Sequence, residues 1–244
     1  MTMHLSLTTL MQHLLFVFLL LITPLWDYRD TNRLKRCPDS GRKIRYYKTL
    51  CSWLWIAAIM ATVAVAWRSL LTISPAPDDA TWLLGRLWVK NAFLVLFSIF
   101  LALVLLPAAI GMWKNLTHQP RTYSTADALQ SLSFVLPETR RERRWYVVVC
   151  ISAGVCEEIL FRGFLLQYLH TSPWRLSLTL ALALSSIVFG LQHLYLGASG
   201  AAQGAVIGFV FALLFLLTGN LLAPIVFHTV SDLRMLTILR PPTE

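Results

Sequence analysis

The sequence predicts an all-α fold: a polytopic bundle of about seven transmembrane helices. Three observations predict it. Hydrophobic residues make up 57% of the 244 residues and charged residues only 14%, with a mean hydropathy of +0.62. A soluble domain of this size needs far more polar surface. Apolar runs long enough to cross a bilayer recur along the chain. The basic residues, in turn, are bunched in two segments between such runs, as the rule that Lys and Arg mark the cytoplasmic side requires.

The predicted helices cover residues 7–25, 51–72, 91–112, 145–168, 176–196, 201–217 and 220–239. The first lacks the basic leader and small-residue cleavage site of a signal peptide, and a basic flank follows it directly, so it is read as a span. That flank, 27–48, carries eight Lys or Arg and is expected to be a cytoplasmic loop. The connection after the second helix, SPAPDDATW (74–82), instead carries Asp78 and Asp79. After the third helix, residues 113–144 hold six Lys or Arg, four of them in TRRERR (139–144). Within this connection Ser124 or Thr125 would cap a short amphipathic helix over 126–136, lying along the membrane surface. In the sixth helix Gly200, Gly204 and Gly208 recur at four-residue spacing, which lets helices approach closely in lipid.

The alternation of basic and poorly basic loops places the N-terminus outside and the C-terminus inside, where Arg234 and Arg240 fit. Trp26, Trp53, Trp88, Trp113, Trp145 and Trp174 fall near predicted helix ends, as an interfacial aromatic belt would. Topology thus accounts for the formal net charge of +9, and no nucleic-acid partner is expected. Cys37, Cys51, Cys150 and Cys156 show no CxxC spacing, so neither a zinc ribbon nor a redox motif is expected. The organisation read from this is an N-terminal three-helix membrane region (1–112), a basic connection (113–144) and a helical core (145–240).

The core holds the chemistry. VCEEILFRGFL (155–165) sets Glu157, Glu158 and Arg162 in the middle of a span. Charged, unpaired and facing lipid, the three would cost on the order of 8–10 kcal/mol, so they must face the interior and find partners. Glu158 and Arg162 are four apart and share a helix face, so they can pair. Glu157 is turned about 100° away from Glu158, out of register with Arg162, and is free for general-base work. The plainer reading is that all three only lock helices together. Two further spans weigh against it: SSIVFGLQHLYLG (185–197) brings Phe189 and His193, and APIVFHTVSDL (223–233) brings His228 and Asp232. Ionisable groups on three separate spans are best accommodated by meeting in one cluster. His13, with no such company, is read as a packing residue.

EEILFR (157–162), FGLQH (189–193) and HTVSD (228–232) follow, in order, the patterns EExxxR, FxxxH and HxxxN/D. In this the sequence resembles the CPBP family, the CAAX-type and bacteriocin-processing glutamic intramembrane proteases. The resemblance spans roughly residues 145–240 and implies a hydrolase that cuts a peptide bond in a membrane-associated protein or peptide, with no cofactor and no metal. By motif position it implies Glu157 as the catalytic base, His193 as its helper in binding and activating water, and His228 with Asp232 stabilising the oxyanion. Glu158 and Arg162 would support the site through their pair, and Phe189 belongs to the second motif. Asp232 cannot donate a hydrogen bond when ionised, so it either carries a proton or orients His228. The expected location is the bacterial inner membrane, as a multi-pass protein whose other partner is the lipid bilayer.

Other chemistries fit parts of the same sequence. Two Glu and two His could ligate zinc, although HExxH is lacking. GASG (197–200) resembles the nucleophile motif of rhomboid serine proteases, which would make Ser199 the nucleophile, and Cys156 is a weaker candidate still. A non-catalytic scaffold or immunity protein would also keep such a cluster for structure. No motif names the substrate: prenylated CaaX tails, leader peptides and C-terminal sorting tails all remain open.

Overall fold

The computed structural model describes residues 7–37, 39–65, 132–171 and 173–239, with scattered helical positions between 91 and 113. Among the described residues there is no strand. Among the described residues six continuous helices run through the chain. α1 runs over Leu7–Arg36, passing from Leu7–Val17 through a π-helical stretch, Phe18–Ile22, into Thr23–Arg36. α2 is Ser40–Ala64. α3 runs from Arg140–Glu158 through a π-helical Ile159–Leu165 to Leu166–His170. α4 is Leu178–Leu191, α5 Gly197–Thr218 and α6 Leu222–Ile238.

By length and composition, Leu7–Arg36, Ser40–Ala64 and Leu194–Thr218 can each cross a membrane. Large apolar side chains on the outside, such as Leu7, Val63, Val206 and Leu222, are exposed by 65–74%. Such surface suits lipid, not water. The all-α membrane bundle expected from composition is therefore the architecture found.

The element boundaries depart from the sequence reading in informative ways. The basic segment 27–48, expected to be a loop, is helical up to Arg36 and again from Ser40. Arg and Lys are good helix formers, and Arg33, Lys35 and Arg36 occupy the last turn of α1, where the helix dipole favours cations. Asp39 then starts α2, its carboxylate accepting from the Arg42 amide at 3.0 Å. α4 stops at Leu191 instead of continuing to 196, and a short 3₁₀ turn, Leu194–Leu196, carries the chain to Gly197. Gly197 sits at φ +82°, where a side chain would be strained. The predicted third helix, 91–112, lies mostly outside the described residues; Phe97 stacks edge-on against Phe227 of α6 at 4.9 Å. Of the expected surface helix, residues 132–136 form turns, and the rest lies outside the described residues, as do the 74–82 connection and Arg240.

The glycine row of α5 packs as anticipated. A Cβ on Gly204 would come within 3.0 Å of the His193 ring, and one on Gly208 within 2.9 Å of the Phe189 ring. α4 can therefore lie directly on α5, holding the FGLQH segment in place. On α3, Gly154 serves α6 in the same way, its missing side chain making room for Thr229. Side chains from α1 through α5, among them Leu19, Ala61, Phe161, Phe164, Leu182, Phe189 and Phe215, close the core. In lipid this core is held by close packing, not by removal from water.

The start of α3 is fixed outside the apolar region. Thr139 caps it by accepting from the Glu142 amide at 3.2 Å, and Glu142 reaches back to the Glu138 amide at 2.8 Å. Buried Lys43 of α2 completes the joint, donating to the Leu136 carbonyl and to Glu138 Oε1, both at 3.1 Å. Burial alone would raise the Glu142 carboxyl pKa. The hydrogen bonds from Glu138, Ser40 and Thr139 and the nearby Lys43 charge outweigh it, and the net shift is downward. A depressed folded-state pKa gives stability that is fully present above the unfolded value near 4.5 and is lost as pH falls through the folded one. Acid unfolding in detergent, followed by circular dichroism below that pH, should therefore be less steep for Glu142→Gln than for wild type. An identical acid limb would remove Glu142 from this role.

Candidate active site

The site grows from the place where α3 changes from α to π geometry. Glu157 and Glu158 end the regular part, and Ile159–Leu165 follow in the wider π form. Six successive residues, Leu160 to Leu165, are buried, so this part of α3 is enclosed on all sides. Arg162 still meets Glu158, its Nη1 donating to Glu158 Oε1 at 3.0 Å, while Nη2 donates to the Gly208 carbonyl at 2.7 Å. Its guanidinium lies over the Phe189 ring at 4.5 Å and near Phe211 at 5.6 Å. Both members of the pair are buried, Glu158 at 0% exposure.

Glu158 is also the hub for α6. His228 Nδ1 lies 2.8 Å from Glu158 Oε1, so this nitrogen carries the proton and donates. Its other nitrogen, Nε2, then faces two carboxylates, Asp232 Oδ2 at 3.6 Å and Glu157 Oε2 at 3.8 Å. Neither distance is a direct hydrogen bond, and both suit a bridging water. Glu158 Oε2 is buried without a hydrogen-bond partner among the described residues.

His193 lies beyond the end of α4, not within a helix as its sequence position suggested. Its amide closes the last turn on Gly190, and its Nδ1 donates to the Phe189 carbonyl at 3.2 Å. Nε2 is thereby left as the acceptor. The Phe189 ring sits 5.1 Å from the His193 ring and 6.0 Å from that of His228, so it spaces the two imidazoles.

Glu157 and His193 share the wall of one cavity of about 160 Å³. Most of that wall is apolar, including Phe18, Leu19, Trp53, Leu54, Leu160 and Phe161. Ser199 is exposed and accepts from Gln203 at 3.1 Å, and Cys156 is fully buried in the core. His13 hydrogen-bonds the Thr9 carbonyl at 2.7 Å and packs edge-on against Tyr168, as a packing residue should. Among the described residues, no group of three His, Cys, Asp or Glu side chains is placed to hold a metal ion.

The family model described as Type II CAAX prenyl endopeptidase Rce1-like matches residues 141–234. No curated protein and no solved structure matches the chain. The Rce1-like segment begins one residue into α3, ends inside α6, and contains all three motifs. The family agrees with the CPBP resemblance and makes the chain a peptidase, and its apolar helices make it an integral membrane protein.

Sequence reasoning missed the contribution from outside the Rce1-like segment. Thr23, Asp27 and Tyr46, from α1 and α2, line the same cavity as Glu157. Gln192, inside FGLQH, ties the two halves together. Its Nε2 donates to the Leu19 carbonyl at 2.7 Å, and its Oε1 accepts from Thr23 at 2.7 Å. Leu19 lies in the π stretch of α1, where a backbone carbonyl needs such a partner. Asp27 accepts from Tyr46 at 2.8 Å. The available signal was Asp27 itself, an acidic residue at the junction of the first apolar run and the basic segment 27–48.

Proposed function

We propose that the chain is a glutamic-type intramembrane endopeptidase, with Glu157 and His193 activating a water and His228 and Asp232 stabilising the oxyanion. The observation that carries this reading is the shared cavity: Glu157 and His193 face one space, with His228 Nε2 behind Glu157 at 3.8 Å. The charge balance agrees. Arg162 and a protonated His228 offset two of the three carboxylates Glu157, Glu158 and Asp232, and the one remaining negative charge is the base.

Glu157 takes a proton from the water while its oxygen attacks the carbonyl carbon of the scissile bond. The electron pair of the C=O bond moves onto oxygen, which His228 Nε2–H stabilises. On collapse the C–N bond breaks, and the proton held by Glu157 passes to the leaving amine. His193 Nε2 accepts from the water and fixes its direction. Asp232, 3.6 Å from Nε2, orients His228 and favours its charged form, so Asp232 does not have to donate. Glu158 and Arg162 hold His228 from the other side.

The apolar cavity wall suits a hydrophobic segment of a membrane-associated protein or peptide, and a prenylated CaaX tail is one such substrate. The orientation that fits the basic loops is N-terminus outside, C-terminus cytoplasmic, in a bacterial inner membrane. Processing by the purified chain should persist after chelation and in Ser199→Ala, and should fall at least about a hundredfold in Glu157→Gln. Loss on chelation with recovery on adding zinc would replace the glutamate mechanism by a zinc one.

A further inference from the structure

A second cavity, of about 570 Å³, opens where the C-terminal end of α1 meets the start of α2. Arg33, Arg36, Arg42 and Arg45 all line it, against Asp30 as the one acidic side chain in its wall among the described residues. Arg42 is paired with Asp39 at 3.0 Å. Arg33, Arg36 and Arg45 have no ion-pair partner among the described residues. Arg42 and Arg45 stand in the first two turns of α2, where the helix dipole disfavours cations. Converging cations in that position repel one another unless an anion joins them.

The surroundings indicate the source of the anion. Trp26 and Tyr46 line this cavity and also the wall of the apolar one. Trp26 contacts Trp53, whose side chain is 43% exposed among other apolar groups of α2. Arginines beside a partly exposed tryptophan pair are the side chains that collect at headgroup depth. We propose that this cavity binds the phosphate of an anionic phospholipid headgroup, with the acyl chains running down the outer face of α1 and α2. Arginine suits the task because its planar fork donates two hydrogen bonds to a phosphate.

The test is native mass spectrometry of the full chain, purified in detergent and titrated with phosphatidylglycerol, phosphatidylcholine or inorganic phosphate. Phosphatidylglycerol should be retained and phosphatidylcholine should not. Arg33→Gln and Arg45→Gln should each weaken retention about fivefold, and the double variant about twenty-fivefold. Arg33→Lys/Arg45→Lys, which keeps the charge, should lose far less. Arg140→Gln/Arg141→Gln removes the same charge from the exposed start of α3 and should leave retention unchanged. Equal losses in the two Gln pairs would reduce the effect to general attraction and overturn the site. Equal retention of phosphatidylcholine would overturn recognition of an anion, and displacement of the lipid by millimolar inorganic phosphate would overturn a lipid as its ligand. The singles keep the test usable if the double variant does not fold.

Discussion

Glu157→Gln is expected to lower kcat by about a hundredfold to ten-thousandfold, the usual contribution of a positioned general base, with KM little changed. Gln has the same shape and can still hydrogen-bond water, but it cannot take the water's proton. The fold should survive, because Glu157 is 17% exposed to the cavity and its contact with His228 is a long 3.8 Å. Glu158→Gln differs in kind. It removes one charge from a carboxylate at 0% exposure that holds both Arg162 and His228, so it should reduce folded protein as well as activity. The measurements are cleavage by matched amounts of folded protein and the set of membrane proteins left uncut in cells carrying each variant. Full cleavage by Glu157→Gln would remove Glu157 as base. If Glu157→Gln instead kept every biological activity and wild type cleaved nothing, the cluster would belong to a scaffold.

Much of this site was legible in the sequence because ionisable groups in a bilayer are constrained so tightly. Glu158 and Arg162 at i and i+4 could be paired from spacing alone, and the structure gives that pair at 3.0 Å. The glycine spacing in α5 marked a close contact, which turned out to be the one against Phe189 and His193. What spacing could not show was local geometry that departs from a regular helix. The π stretch after Glu158 buries six residues in a row, and the stop at Leu191 puts His193 in a turn; neither changes composition or periodicity enough to be read. The loop assigned to 27–48 failed for another reason. Its charges suit helix ends at a membrane surface as well as they suit a loop, and only Asp39 as a cap marks the break. As a result Asp27 and Tyr46 went unassigned, although they line the cavity together with Thr23 of the first predicted helix.

Arg162→Leu should be the most destabilising single change in the core. Arg162 is 2% exposed, donates to Glu158 and to the Gly208 carbonyl, and is sandwiched by aromatic rings. Leu fills part of the volume but leaves the Glu158 carboxylate with His228 as its remaining partner and the Gly208 carbonyl with none from α3. Breaking a buried pair from one side costs about 3–5 kcal/mol, since the surviving charge remains out of water. Removing both charges tells a different story. Glu158→Gln/Arg162→Gln leaves no uncompensated ion, so it should be more stable than Arg162→Leu, with a coupling energy of roughly 0.5–3 kcal/mol in a complete cycle against the Gln singles. Thermal unfolding in detergent measures both quantities. Activity should not return with stability, because His228 Nδ1 would then face a neutral amide and the imidazole would lose the carboxylate that holds and charges it from that side. A double variant that regained both would mean the pair serves the fold alone, whereas stability without cleavage ties the Glu158–Arg162 pair to the placement of His228.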